Sequence, residues 1–227
     1  EVENEFHRFG GAANVALNIA KLNGIPEPIG VIGYDSFGAL FNSLLSEQNI
    51  SHQGIFEDES RPTTAKTRVI AASQHIVRID KESKETINKK IQTEIISYGK
   101  SIIKDLEGII LQDYNKGVLS SSLISQVIEA ANKNKKLITV DPKFNNFYDY
   151  KNGTVFKPNR HEAEDILGMK IKTDADVSFA GNTLLNKLNP KNVLLTLGEG
   201  GIAVFEKGKP EKRMPTKARK VADVSGA

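Results

Sequence analysis

The stretch Gly108-Ile109-Ile110-Leu111-Gln112, which runs into Asp113-Tyr114-Asn115-Lys116-Gly117 and then into a helical pattern from Ser121 to Ala131, decides the fold. A short apolar run bounded by turn formers and followed at once by an amphipathic helix reads as a buried strand opening a βα unit. Working outward toward the C-terminus, the rhythm continues with strand Leu137 to Val140, strand Thr154 to Phe156 with helix Asn159 to Leu167, and a helix through Val177, Leu184, Leu185 and Leu188. Strands Val193 to Leu197 and Ile202 to Phe205 follow across a glycine-rich turn. Strands alternating with helices predict a parallel sheet covered on both faces, a Rossmann-like three-layer αβα arrangement.

Toward the N-terminus, Phe9-Gly10-Gly11-Ala12-Ala13-Asn14 opens a helix whose apolar face is Val15, Ile19 and Leu22, stopped by Gly24 and Pro26. Ile29 to Gly33 reads as a buried strand, and Phe37, Leu40, Phe41, Leu44 and Leu45 as a helix capped by Asp35 or Ser36. Thr63 to Ile70 and His75 to Asp80 read as two strands of a hairpin, joined by a polar turn around Ala72-Ser73-Gln74. Ile87, Ile91, Ile95, Tyr98 and Ile102 then mark a long amphipathic helix.

With 227 residues, 39% of them hydrophobic, the chain can bury one large core, alone or with a small appendage. Its 31 basic residues exceed its 28 acidic ones by three, which does not suggest a nucleic-acid or membrane partner and leaves anionic small molecules open. The lack of cysteine excludes disulfides, thiolate metal sites and a thiol nucleophile, and it fits a reducing compartment. No apolar span is long enough to cross a bilayer, and the acidic start Glu1-Val2-Glu3-Asn4-Glu5 is unlike a signal peptide, so a cytoplasmic location is expected.

In parallel sheets ligands bind at the carboxyl ends of strands. Here those ends carry Asp113 to Gly117, Asp141-Pro142-Lys143, Lys157-Pro158-Asn159 and Thr196-Leu197-Gly198-Glu199-Gly200-Gly201, and a single polar rim is expected. Asn159 and Glu162 stand three apart at a helix start, which suits a hydrated Mg²⁺ bearing phosphates and equally suits an N-cap with its capping-box acid. Gly10 and Gly11 admit either a ligand near the backbone or a plain helix entry. Lys66, Arg68 and Arg78 on the hairpin are either solvating edge charges or anion ligands. The final Asp223-Val224-Ser225-Gly226-Ala227 reads as an ordinary turn or as a backbone presenting N–H groups to an anion.

Taken in order, Gly10-Gly11-Ala12-Ala13-Asn14, Asn159-x-x-Glu162, Thr196-x-Gly198-x-x-Gly201 and Asp223-Val224-Ser225-Gly226-Ala227 resemble the motifs of the ribokinase-like (PfkB) carbohydrate kinases. Within that family, Lys66-Thr67-Arg68-Val69-Ile70, Val77-Arg78-Ile79-Asp80, Asp113 to Leu119 and Val140-Asp141-Pro142-Lys143 are similar to segments of the D-glycero-β-D-manno-heptose-7-phosphate kinases. The resemblance implies phosphorylation of that sugar phosphate at its anomeric hydroxyl by ATP, with Mg²⁺ and a monovalent cation such as K⁺, in ADP-heptose synthesis for lipopolysaccharide. Gly10, Gly11 and Asn14 would contact the sugar, and Asp141 would also face it. Lys66, Arg68, Arg78, Lys116 and Lys143 are inferred for its phosphate, because an anion in a water-poor cleft needs charge-assisted donors.

By the same resemblance Asn159 and Glu162 would organise Mg²⁺, Thr196, Gly198, Gly201 and Asp223 would line the nucleotide site, and Gly226 and Ala227 would form an anion hole. The family pattern continues with Gly-Asp, whose Asp is the general base, and begins with a strand ahead of the first glycine pair. The chain is therefore expected to be an internal portion of a longer kinase, with lid strands at about residues 1–9 and 62–80 and a homodimer formed through the lid. The rival expectations are another PfkB kinase, such as a fructokinase, ribokinase or hexose-phosphate kinase, and a catalytically silent sugar or nucleotide binder.

Overall fold

A computed structural model describes residues 3–71 and 74–216. The chain divides into two compact units, Glu1–Gly99 with Lys116–Val118, and Lys100–Asn115 with Leu119–Ala227.

The first unit holds helices α1 (Gly11–Lys21) and α2 (Ser36–Glu47), strands β1 (Gly30–Gly33) and β2 (Ile55–Asp58), the hairpin β3 (Ala65–Ala71) and β4 (Gln74–Lys81), and most of α3 (Lys89–Ile102). β1 and β2 pair in parallel, Gly30 with Ile55. β2 was not expected, since four residues that include two acids give little periodic signal. The predicted choice of cap resolves to Asp35, whose Oδ1 accepts from Gly38 N at 2.9 Å. Its Oδ2 also takes Thr63 N and Lys81 Nζ, both at 3.1 Å, so one carboxylate fastens both ends of the hairpin to the start of α2. Burial works to raise the Asp35 pKa, but the bonds from Thr63, Gly38 and Lys81 outweigh it and hold the carboxyl far below its usual range.

The hairpin forms a sheet of its own. Its register pairs Lys66 with Asp80, Thr67 with Ile79, Arg68 with Arg78 and Val69 with Val77, with a shift between Val69 and Ile70. Directly opposed residues share a face, so one face carries Lys66, Arg68, Arg78 and Asp80 and the other Thr67, Val69, Val77 and Ile79. Residues 3–10 contain no strand, so a lid strand expected over residues 1–9 is not found in the described part of that stretch.

The second unit is built on six strands in the order β10-β9-β8-β7-β6-β5: β5 (Gly108–Gln112), β6 (Leu137–Asp141), β7 (Val155–Phe156), β8 (Asn192–Thr196), β9 (Ile202–Glu206) and β10 (Lys212–Met214). α4 (Ser121–Lys133), α5 (Arg160–Leu167) and α6 (Asp174–Leu188) complete it. β5 to β8 are parallel as expected, whereas β9 and β10 run antiparallel. The all-parallel expectation fails there because only Leu197 to Gly201 join β8 to β9, and a parallel return needs a crossover of a dozen residues or more.

One face of this sheet, formed in register by Leu111, Ile138, Val140, Phe156, Val193, Leu195, Ala203 and Phe205, is buried in a single apolar cluster with Ile124 and Ile128 of α4 and Leu184 and Leu188 of α6. Gly181 of α6 is required there, since a Cβ would stand 2.2 Å from the Phe205 ring. The opposite face is half-buried at Leu194, Ile202 and Val204 and open at the β5–β6 edge, where Ile110 is 47% and Leu137 58% exposed. α4 and α6 both spend their apolar sides on the first face.

Candidate functional site

In the second unit, β6, β7 and β8 are adjacent and parallel, so their carboxyl ends bring Asp141, Lys157, Asn159 and Thr196 to one sheet edge. Thr196 N donates to Pro158 O at 3.0 Å, and Thr196 bridges to Asn159, which seats the end of β8 beside the start of α5. Asn159 Oδ1 accepts from Glu162 N, and Glu162 Oε2 accepts from Asn159 N, each at 2.9 Å. The capping box is therefore fully formed. The other carboxylate oxygen of Glu162 pairs with Lys143 Nζ. Burial works to lower the Lys143 pKa, but Glu162 and, more weakly, Asp141 outweigh it and hold the ammonium above its ordinary value.

Asp141 Oδ1 pairs with Lys157 Nζ at 3.0 Å, and its Oδ2 accepts from Gln112 Nε2 at 2.7 Å. Asp113, 3% exposed, takes the Tyr150 hydroxyl at 2.8 Å and Asn115 N at 2.7 Å, which fixes the turn after β5. Burial and that carboxylate push the Tyr150 phenol well above its usual range.

The Gly198–Gly200 turn closes with Leu197 N donating to Gly201 O at 2.8 Å. Gly198 and Gly201 adopt φ of 62° and 82°. At Gly201 a Cβ would lie 2.0 Å from Met214 O, so that position tolerates only glycine, while Gly198 faces open space. Arg160 donates from Nη2 to Leu197 O at 3.2 Å and so holds this turn from α5. Sequence reasoning named Lys157 only as part of the strand-end rim and missed Arg160, because a lone cation at a helix start carries no spacing signal.

In the first unit, Gly10 is the N-cap of α1, and Gly11 has φ 54°, a value that favours glycine. Asn14 N donates back to Gly10 O at 3.4 Å. Lys66 Nζ lies 3.1 Å from both Asp80 and Glu82. Arg78 Nε reaches Asp80 Oδ1 at 3.1 Å, and Lys116 Nζ reaches Glu82 Oε1 at 2.6 Å. Lys66, Arg78 and Lys116 thus join one network through two carboxylates that sequence reasoning did not single out, and Arg68 stands opposite Arg78. Lys143, expected with them, belongs to the other unit and pairs with Glu162. Asp223, Gly226 and Ala227 lie outside the described residues.

Among the described residues no three His, Cys, Asp or Glu side chains gather as a metal cage. Glu162 has each oxygen engaged by a protein group and is 11% exposed in its side chain, so the donor set fits a hydrated Mg²⁺ held through its waters better than direct ligation. No helix among the described residues is long and apolar enough to cross a membrane.

The chain is 40% identical over its whole length to the bifunctional protein HldE of Helicobacter pylori (strain J99), covering 49% of that protein, so it spans about half the length of the curated relatives it matches. Its fold is similar to that of Arabidopsis thaliana ribokinase solved with ribose and ATP, with a TM-score of 0.73 at 21% identity over 94% of this chain and 69% of that one. It is also similar to phosphofructokinase-2 from Escherichia coli solved with fructose-6-phosphate, with a TM-score of 0.70 at 20% identity over 91% of this chain and 67% of that one; the latter enzyme has also been solved with potassium. Residues 1–227 in their entirety match the model of the pfkB family carbohydrate kinases, and the chain belongs to that family.

Proposed function

We propose that the natural-length protein carrying these residues transfers the γ-phosphoryl group of ATP to the anomeric hydroxyl of D-glycero-β-D-manno-heptose 7-phosphate, giving the 1,7-bisphosphate for ADP-heptose synthesis in the cytoplasm. The observation that carries this reading is the network of Lys66, Arg78 and Lys116 in the first unit, a concentration of cations that a neutral sugar would not need. The two segments resembling heptose-7-phosphate kinases, Lys66 to Asp80 and Asp113 to Leu119, and the similarity to the bifunctional HldE protein support it.

Phosphoryl transfer asks the protein mainly to position reactants and neutralise charge. Gly10, Gly11 and Asn14 would hold the sugar at the head of α1, where exposed N–H groups face it. Thr196 and the Gly198 to Gly201 turn would receive the nucleotide, and Asn159 and Glu162 would orient the waters of Mg²⁺ on its phosphates. When bound, Mg²⁺ offsets charge on the transferred group; K⁺ is proposed as a second cation. In the family pattern the proton of the attacking hydroxyl goes to the Asp of a Gly-Asp pair.

The apolar face of the hairpin, with Val77 46% and Ile79 57% exposed, is proposed to pair with a second copy, and light scattering of an Ile79→Lys variant should return a monomer. ADP release measured across heptose 7-phosphate, fructose 6-phosphate, fructose and ribose tests the substrate; faster turnover on any unphosphorylated sugar overturns it.

A further inference from the structure

The candidate substrate cations of the first unit are held by the chain's own carboxylates. Glu82 accepts from Lys116 Nζ through Oε1 at 2.6 Å and from Lys66 Nζ through Oε2 at 3.1 Å, and its side chain is 17% exposed. These two lysines come from remote stretches, one from β3 and one from the turn after β5, and they meet at one acid. The backbone around Lys116 is itself fixed: Arg61 Nη2 donates to Lys116 O at 2.5 Å, Gly117 O accepts from Ile87 N at 3.0 Å, and a Cβ on Gly117 would stand 1.8 Å from Glu85 O. Lys66 is shared with Asp80, which also holds Arg78. Three cations, Lys66, Arg78 and Lys116, therefore face two carboxylates, and the cluster keeps one positive charge with which to draw an anion.

A carboxylate offers two oxygens and one charge to this pair of ammonium groups. A phosphate monoester offers three oxygens and close to two charges, so it can replace the carboxylate between the lysines with a gain, whereas a neutral sugar hydroxyl cannot. We propose that Glu82 is a specificity-determining residue that occupies the substrate-phosphate position between Lys66 and Lys116 and is displaced when a phosphorylated sugar binds. The inference rests on the reading of these lysines as phosphate ligands. Its consequence is that substrate affinity is lowered by the fraction of molecules in which Glu82 holds the pair, and that an unphosphorylated sugar leaves the pair closed.

Steady-state kinetics of the natural-length protein test this. In E82Q the KM for heptose 7-phosphate should fall about three- to tenfold, as expected when an internal competitor is removed, and inhibition by inorganic phosphate should tighten in parallel. The KM for ATP serves as the internal control and should hold. In a Lys116→Gln background the same change should lose most of its effect, because the two residues act through one contact. If E82Q does not fold, Glu82→Asp, whose shorter arm cannot span both lysines, must show the same fall. An unchanged or raised KM for the sugar phosphate, or an E82Q effect that persists without Lys116, overturns the displacement while the preference for phosphorylated sugars stands. A wild-type protein with no such preference removes the phosphate reading of the lysines and the displacement with it.

Discussion

The strand-end rim of the second unit and the hairpin of the first both carry cations paired with the chain's own acids, and they hold them in different ways. On the rim each ion-paired lysine has a single acid, Lys157 with Asp141 and Lys143 with Glu162, and the acids are anchored by the sheet register and a completed capping box. On the hairpin the partners are shared, Lys66 between two acids and Glu82 between two lysines, and the strands beneath are exposed on both faces. Where a buried core already fixes the backbone, charges only need local pairing. On the exposed hairpin the register and backbone contacts bring the charges together, and because one acid serves two cations, a ligand that enters the network can change which groups pair.

The largest expected effect tests the rigid side of this contrast. Phe205→Ala should cost about 3–5 kcal/mol in urea unfolding, because the ring fills the space beside Gly181 and a cavity would remain. A loss under ~1 kcal/mol would mean that the rim does not rest on this core.

Next in size, Glu162→Gln should lower turnover about 10–100-fold, as removal of an outer-sphere group at a metal site does, while the change to its capping contact costs only about 1 kcal/mol of stability. Full turnover with a lowered melting temperature would leave Glu162 as a cap alone.

A smaller effect is expected from acid on the hairpin side. Hydrogen bonds from Lys116 and then Lys66 hold the Glu82 carboxyl down at about 2, against an ordinary value of 4.5. A depressed carboxyl stabilises the fold above its unfolded value and loses that contribution as pH falls through its folded value. The melting-temperature gap between wild type and E82Q should therefore be full above about pH 4.5 and close progressively as pH falls toward 2. A gap that is flat from pH 6 to pH 3 would show that the ion pairs are not formed in solution.

The smallest effect concerns Arg68, which stands directly across from Arg78. Like charges in that position repel, so Arg68→Thr should raise stability by about 0.2–0.5 kcal/mol while raising the KM for the sugar phosphate. Lowered stability would show that the opposed arginines are already separated by an anion or a partner.

Much of this was legible in the sequence because the second unit is locally consistent. Apolar runs such as Leu137 to Val140 and Val193 to Leu197 have the length of strands, and Asn159 with Glu162 has the spacing of a capping box, so each element follows from residues adjacent in the chain. The antiparallel β9 was legible in principle too, from the five residues that join it to β8. The small residues of the glycine motifs could be placed at turns, but their necessity could not. Only the fold shows that Gly201 lies under Met214 O and Gly117 against Glu85 O.

The sequence by itself determined the alternating α/β class, the position of the hairpin and the polar character of the strand ends, because these depend on periodicity and turn chemistry over a few residues. Only the tertiary structure decided which charges meet. The register shift between Val69 and Ile70 sets Lys66 opposite Asp80 and Arg68 opposite Arg78, where an unbroken pairing from Ala71 and Gln74 would have set Arg68 opposite Val77. A slip of one residue turns every side chain of a strand to the other face, and no local signal fixes it. The meeting of Lys66, Glu82 and Lys116 likewise needs residues 116–118 to be packed, within the first unit, against the segment after β4. That is a long-range contact, set by close backbone packing at Gly117 rather than by the propensity of any residue in it.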